Sequence, residues 1–342
     1  MRATLVFASL LAGCSASSYR AGASRPSYAA GPAGLRAGVI DDHDRIGDYV
    51  AYVDSVPRPD LPKVDLSDRR ILTFTSADGT PLWDEPVGIA SGGRTVLETR
   101  TSAKGEVLFA PGALGLSRWS PVTASVGGPF VVAVPVDEDV VVVPQVRPYA
   151  GASFDLDVAL CVDTTSSMDD EVESLQTSLF DVVRRIGAGS PGVRLRIGGV
   201  AFRDLGDAYV TQPFDFSSDV NAATRAVASL RTEGGGDHYE AVNEALDASL
   251  SRLSWTRQAA VRILFLIGDA GPHVERGPDS VEIARRATSQ GIQIVPIGCS
   301  GLDDVGEFVW RQLVALTRGE FVFVSYGGST DHHGGGYEEN EL

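Results

Sequence analysis

The strongest constraint on the fold lies after Pro148, where apolar runs of strand length alternate with stretches whose apolar residues recur at helical spacing. Phe154–Val162 reads as a buried strand, and Val172, Leu175, Leu179, Val182 and Ile186 then repeat at intervals of three and four. Strands follow at Val193–Phe202, Val261–Gly268, Ile292–Gly298 and Phe321–Tyr326, with an antiparallel return at Val210–Phe216. Between them, helices are expected over Asp219–Leu230, Tyr239–Leu253, Ser280–Ser289 and Asp303–Thr317. Strands alternating with helices imply α/β architecture, a doubly wound and mostly parallel sheet with one antiparallel edge strand, assigned to residues 152–328.

Upstream the period changes. Short β-rich runs, among them Ile71–Thr75, Pro86–Ala90, Thr95–Thr101, Val107–Ala110, Val122–Val126, Phe130–Val134 and Val140–Val143, are punctuated by turn pairs such as Asp78-Gly79 and Gly92-Gly93. This pattern predicts a small antiparallel β-sandwich over residues 63–148. Its Ala77–Pro81, Glu85–Val87 and Thr101–Gly105 segments resemble immunoglobulin-like or carboxypeptidase-regulatory-like modules.

At the start, Arg2 precedes a mostly apolar run from Ala3 to Ala12, far below the ~20 residues of a membrane-spanning helix and typical of an export signal. Leu11-Ala12-Gly13-Cys14 resembles a bacterial lipobox, which implies lipidation of Cys14 after removal of the leader in residues 1–14, with simple secretion as the alternative. Ser15, where an inner-membrane protein would carry Asp, directs the expectation to the outer membrane or cell surface. Residues 15–62, rich at first in Ser, Ala, Gly and Pro and then acidic, are expected to be a tether, and residues 329–342 a flexible acidic tail.

The 342 residues carry 29 Lys and Arg against 45 Asp and Glu, a net charge of −16, which opposes binding to phosphate backbones and excludes nucleic acid. Three scattered cysteines form neither a disulfide framework nor a zinc knuckle; Cys161 and Cys299 read as small core residues with no disulfide between them.

In an open α/β sheet, ligands bind beyond the carboxyl ends of the strands. Three such places here hold oxygen donors: Asp163-Thr164-Thr165-Ser166-Ser167, Gly234-Gly235-Gly236-Asp237, and Asp269 after Leu266-Ile267-Gly268. Alternate spacing lets Asp163, Thr165 and Ser167 face one way, and hard oxygens suit a hard divalent cation. These segments, with Glu240-Ala241-Val242 following the second, resemble the metal-ion-dependent adhesion site of von Willebrand factor type A domains. The resemblance implies Mg²⁺, or Mn²⁺ or Ca²⁺, held by Asp163, Thr165, Ser167, Asp237 and Asp269, with an open position for an acidic residue of a partner protein. Asp237 departs from the Thr usual in adhesive members, and a third carboxylate weakens the pull on a partner's acid. Arg203, Asp204 and His238 are expected on the rim, Arg203 offsetting surplus charge.

Each segment alone has a plainer reading: a helix start capped by Ser167, a flexible glycine turn, a loop acid. Gly187-x-Gly189-x-x-Gly192 follows a helix and precedes a strand, the reverse of a dinucleotide site, and is set aside. His273 is expected to be an exposed loop residue, and His332-His333 a solvated tail. The sequence thus reads as a non-enzymatic, exported and lipid-anchored envelope protein that binds a protein through a metal. An assembly component whose site is satisfied internally, for example by Glu338, Glu339 or Glu341, is the alternative. Metal-assisted hydrolysis ranks lower, since no nucleophile constellation accompanies the carboxylates.

Overall fold

The computed structural model describes residues 35–151, 153–176, 192–236, 238–273, 275, 277–299 and 301–326. The calls on Cys14, Asp237, the glutamates of residues 329–342, His332 and His333 lie outside these residues.

The central sheet has seven strands. In chain order β1 (Leu35–Ile40) is followed by helix α1 (Ile46–Ser55), and β2 (Arg70–Thr75), β3 (Pro86–Ser91), β4 (Arg94–Arg100), β5 (Glu106–Phe109), β6 (Val122–Val126), β7 (Phe130–Val134) and β8 (Val140–Val142) form the β-rich part. Then come β9 (Phe154–Asp163), β10 (Val193–Phe202), β11 (Thr211–Ser217), α2 (Val220–Ala228), α3 (Val242–Arg252), β12 (Ala260–Gly268), α4 (Gly277–Ser289), β13 (Ile292–Gly298), α5 (Asp304–Thr317) and β14 (Phe321–Tyr326). The sheet order is β1-β14-β13-β12-β9-β10-β11, parallel from β14 to β10. Central strands covered on both faces need near-continuous apolar sequence, and β9 and β12 supply it.

The expected antiparallel edge strand is β11. At the opposite edge β1 pairs antiparallel with β14, and this corrects the tether expected over residues 15–62. Helix α1 extends the correction: Tyr49, Tyr52 and Val53 are buried, and the Tyr52 ring lies 6.1 Å from that of Phe308 in α5. Burial of an apolar face, with Leu61, Val64 and Leu66 continuing it, stabilises this segment against its ordering entropy.

One face of the sheet packs on α1, α3, α4 and α5; the other packs on Met168, Val172, Leu175 and α2. The β-rich part forms a three-stranded sheet, β5-β2-β8, and a four-stranded sheet, β4-β3-β6-β7, around one core that includes Leu72, Phe74, Ile89, Ala124 and Val141. It is not wholly antiparallel, because β8 returns beside β2 in the same direction after five intervening strands. Cys161 and Cys299 are buried free thiols, and burial pushes the Cys161 thiol up to about 12.

Candidate metal centre

Three loops meet at the carboxyl edge of the parallel strands. The first begins where β9 ends at Asp163, which is fully buried. Its Oδ1 accepts the Thr165 backbone N–H at 2.9 Å and the Thr165 hydroxyl at 2.8 Å, and Thr165 Oγ1 lies 3.3 Å from Ser167 Oγ. Asp163 Oδ2 is buried with no hydrogen-bond partner.

The second loop is positioned by glycines. Gly234 and Gly235 both have positive φ, at 83° and 81°, a backbone region that disfavours side chains. A Cβ on Gly235 would stand 3.1 Å from Thr165 Cβ and 3.2 Å from Glu240 Oε1, so this glycine lets the second loop close on the first. The Gly234 carbonyl accepts the Ser166 hydroxyl at 3.0 Å, and Glu233 N–H donates to the Thr164 carbonyl at 3.0 Å.

Asp269 begins the third loop. A side chain on Gly268, the last residue of β12, would lie 3.3 Å from Asp163 Oδ2. The Ser167 hydroxyl bonds to the Asp269 carboxylate, which burial nevertheless holds above its ordinary range.

The environment around these donors is acidic. Burial, reinforced by Asp269 and Asp204, pushes Asp163 up to about 7 against the lowering effect of the Thr165 hydrogen bonds. Glu240, 4% exposed and with Oε2 unpartnered, is pushed up to about 9 by burial and then by Asp163, Asp204, Asp207 and Asp269. A buried carboxylate left without a donor is costly, and several together are more so. Asp163, Thr165, Ser167 and Asp269 form a contiguous set of hard oxygens that includes one bare, buried carboxylate oxygen, and that set fits a divalent cation. Among the described residues no group of three or more His, Cys, Asp and Glu side chains is placed as a metal-holding cluster; the donors brought together here include the Thr165 and Ser167 hydroxyls.

Residues 157–325 match the family model of the von Willebrand factor type A domain. This part of the chain is a type A domain. Three solved structures resemble it: BatB, a conserved hypothetical protein of Bacteroides thetaiotaomicron (20% identity, 52% of this chain, 92% of that one, TM-score 0.38); proximal thread matrix protein 1 of the mussel byssus, with a zinc-occupied MIDAS motif (16%, 49% and 40%, 0.37); and the pilus adhesin SpaC of Lactobacillus rhamnosus GG (14%, 48% and 30%, 0.34). The chain thus spans less than half of the last two. A search of curated proteins gives no match.

Within the type A domain, the expected rim residues fall in different places. Arg203 is buried, donating to the Arg231 carbonyl at 2.9 Å with its guanidinium over the Tyr209 ring, so it is not an exposed rim cation. Asp204 is buried too and lies 2.7 Å from His273 Nε2. His273, expected in solvent, is therefore mostly covered, whereas His238 is 53% exposed and stands 3.3 Å from Asp303. Two acids not expected among the site residues also lie here: Glu240, which the sequence placed only in the segment after the second loop, and Asp207, whose Oδ2 accepts the N–H of Gly235 at 3.0 Å. An acid three residues after Asp237 and just ahead of α3 is the signal that marks Glu240.

Proposed function

We propose that the chain is an exported, lipid-anchored envelope protein whose type A domain binds a protein partner through a divalent metal. The observation that carries this reading is the chain of contacts from Asp163 through Thr165 and Ser167 to Asp269, with Asp163 Oδ2 buried and unpartnered. These residues would hold Mg²⁺, Mn²⁺ or Ca²⁺, with Asp237 as a further oxygen donor. The bound cation supplies Lewis acidity at the surface, and a partner's carboxylate is the group that such a centre selects. Export and anchoring rest on the apolar run before Cys14; no described helix is long and apolar enough to cross a membrane. Among the described residues the donors are accompanied by no set for covalent catalysis, and binding is the function proposed.

Glu240 favours a second reading, in which the site is satisfied from within. A buried carboxylate beside the donor set competes with an external acid, a role the sequence suggested for the tail glutamates.

Thermal melting of the full chain in EDTA and then in Mg²⁺, Mn²⁺ or Ca²⁺ tests the metal. The wild type should melt higher with metal and Asp163→Ala should not respond; indifference of the wild type to all three ions would sink the proposal. Partner binding is tested by metal-dependent capture from envelope extracts, with the Asp163→Ala chain as the control that must fail to capture.

A further inference from the structure

Beside the first metal loop, β10, β11 and α2 border a cavity of about 250 Å³ whose lining includes Arg203, Tyr209, Phe214, Leu230 and Arg231. Its chemistry is set by Arg203. That side chain is 5% exposed and stacks 4.6 Å above the Tyr209 ring centroid, while its Nε is buried and donates to nothing. Its Nη2 is satisfied by the Arg231 carbonyl, but its carboxylate contact is Glu233 at 3.4 Å, and the Glu233 side chain is 79% exposed.

Other buried guanidiniums in the molecule are matched differently. Arg262 meets buried Asp84 at 2.7 Å, and Arg311 meets fully buried Asp42 at 2.5 Å. A cation taken out of water without a comparably buried anion is a costly arrangement, and an anion arriving in the adjoining space would relieve it. Arg is also the side chain best shaped to receive a planar oxyanion.

The walls restrict the anion further. Phe214 and Leu230 present apolar surface, and Arg231, just beyond α2, directs its Nη1 to the carbonyls of Ala228 and Leu230. Glu233 stands at hand and the chain carries a net charge of −16, so a dianion such as phosphate is repelled more strongly than a monoanion. The geometry points to a binding site for a small organic carboxylate, its charged head on the Arg203 guanidinium and its flat apolar body against Phe214 and Leu230.

The cavity is also tied to the metal loop. The Thr164 hydroxyl donates to the Phe202 carbonyl at 2.7 Å, which leaves it to accept from the Tyr209 hydroxyl, also at 2.7 Å. A ligand on Arg203 therefore sits one side chain away from the residue next to Asp163. Carboxylate binding at Arg203 requires no metal at Asp163.

Benzoate and acetate are the probes, titrated into the full chain while the arginine Nε–H resonances are followed by NMR. The Arg203 signal is assigned from its loss in Arg203→Lys. Benzoate should shift that signal saturably, and acetate, lacking the apolar body, should bind about tenfold more weakly, the effect of ~1.4 kcal/mol of lost contact. Ala226→Leu, which narrows the cavity from the α2 side without touching the guanidinium, should abolish saturation while leaving the urea midpoint near that of the wild type. Absence of a saturable shift in the wild type, or equal benzoate affinity in Ala226→Leu, would overturn the site; equal affinities for benzoate and acetate would overturn the ligand class.

Discussion

Arg262 of β12 and Asp84 of the β-rich part are buried against each other, with guanidinium-to-carboxylate distances of 2.7 and 3.2 Å. Asp84 also receives Arg100 at 2.7 Å and the Ala260 backbone N–H at 3.0 Å, so one carboxylate serves both parts of the chain. Removing one member of a buried pair leaves the other charge stranded, at a cost of about 3–5 kcal/mol. Asp84→Ala should lower the free energy of urea unfolding by that amount, because Arg262 is left with no anion. A loss below about 1 kcal/mol, typical of exposed pairs, would mean that water reaches this junction.

Asp163 sets metal-free stability against metal binding. Its carboxylate is buried among other acids with one oxygen unpartnered, so neutralising it should relieve the fold when no metal is present. Asp163→Asn should therefore be at least as stable as the wild type in EDTA. With Mg²⁺ at a hundred times its dissociation constant the wild type should gain about 2.7 kcal/mol, and the variant should gain little. Urea titrations of both chains in both buffers decide the matter; equal Mg²⁺ gains would remove Asp163 from the donor set.

The parts legible in sequence are those whose signal is local. β9 and β12 declare themselves as apolar runs, and Asp163, Thr165, Ser167 and Asp269 follow directly from strand ends and two-residue spacing. What stayed hidden depends on distant partners. β1 is six residues with no strong pattern, and its pairing with β14 joins opposite ends of the described chain. Ile46, Tyr49, Val50 and Val53 do carry a helical period, masked by the acids around them. Arg262 interrupts the apolar run of β12, and nothing local names Asp84 as its partner. Likewise the burial of Glu240 and of Asp204 against His273 arises only when three loops close.

His43 gives a pH dependence separate from the metal centre. Its Nε2 lies 2.9 Å from the Ala315 carbonyl near the end of α5, and burial, followed by the nearby Arg318 and Arg69 charges, lowers its pKa from 6.5 to about 4. Between those values the unfolded chain binds a proton that the folded chain refuses. The contribution is complete above about pH 6.5 and is lost as pH falls towards 4, on the order of 3 kcal/mol in all. His43→Gln keeps a donor for Ala315 without the titration. Its urea stability should fall less than that of the wild type from pH 7 to pH 4, and parallel curves would refute the assignment.

Glu240 separates the two readings of the centre. If its buried carboxylate belongs to the resident donor set, Glu240→Gln removes one negative charge facing the cation while keeping a similar shape and an oxygen. Mg²⁺ affinity measured by calorimetry should then fall about tenfold, ~1.4 kcal/mol. The less negative centre should at the same time attract an external carboxylate more strongly, so acetate should compete for the metal-loaded variant better than for the metal-loaded wild type. Asp207→Asn is the comparison, because Asp207 faces the N–H of Gly235 and should alter Mg²⁺ affinity less than Glu240 does. Unchanged Mg²⁺ affinity in Glu240→Gln would place that carboxylate outside the donor set and leave the centre open to a partner's acid.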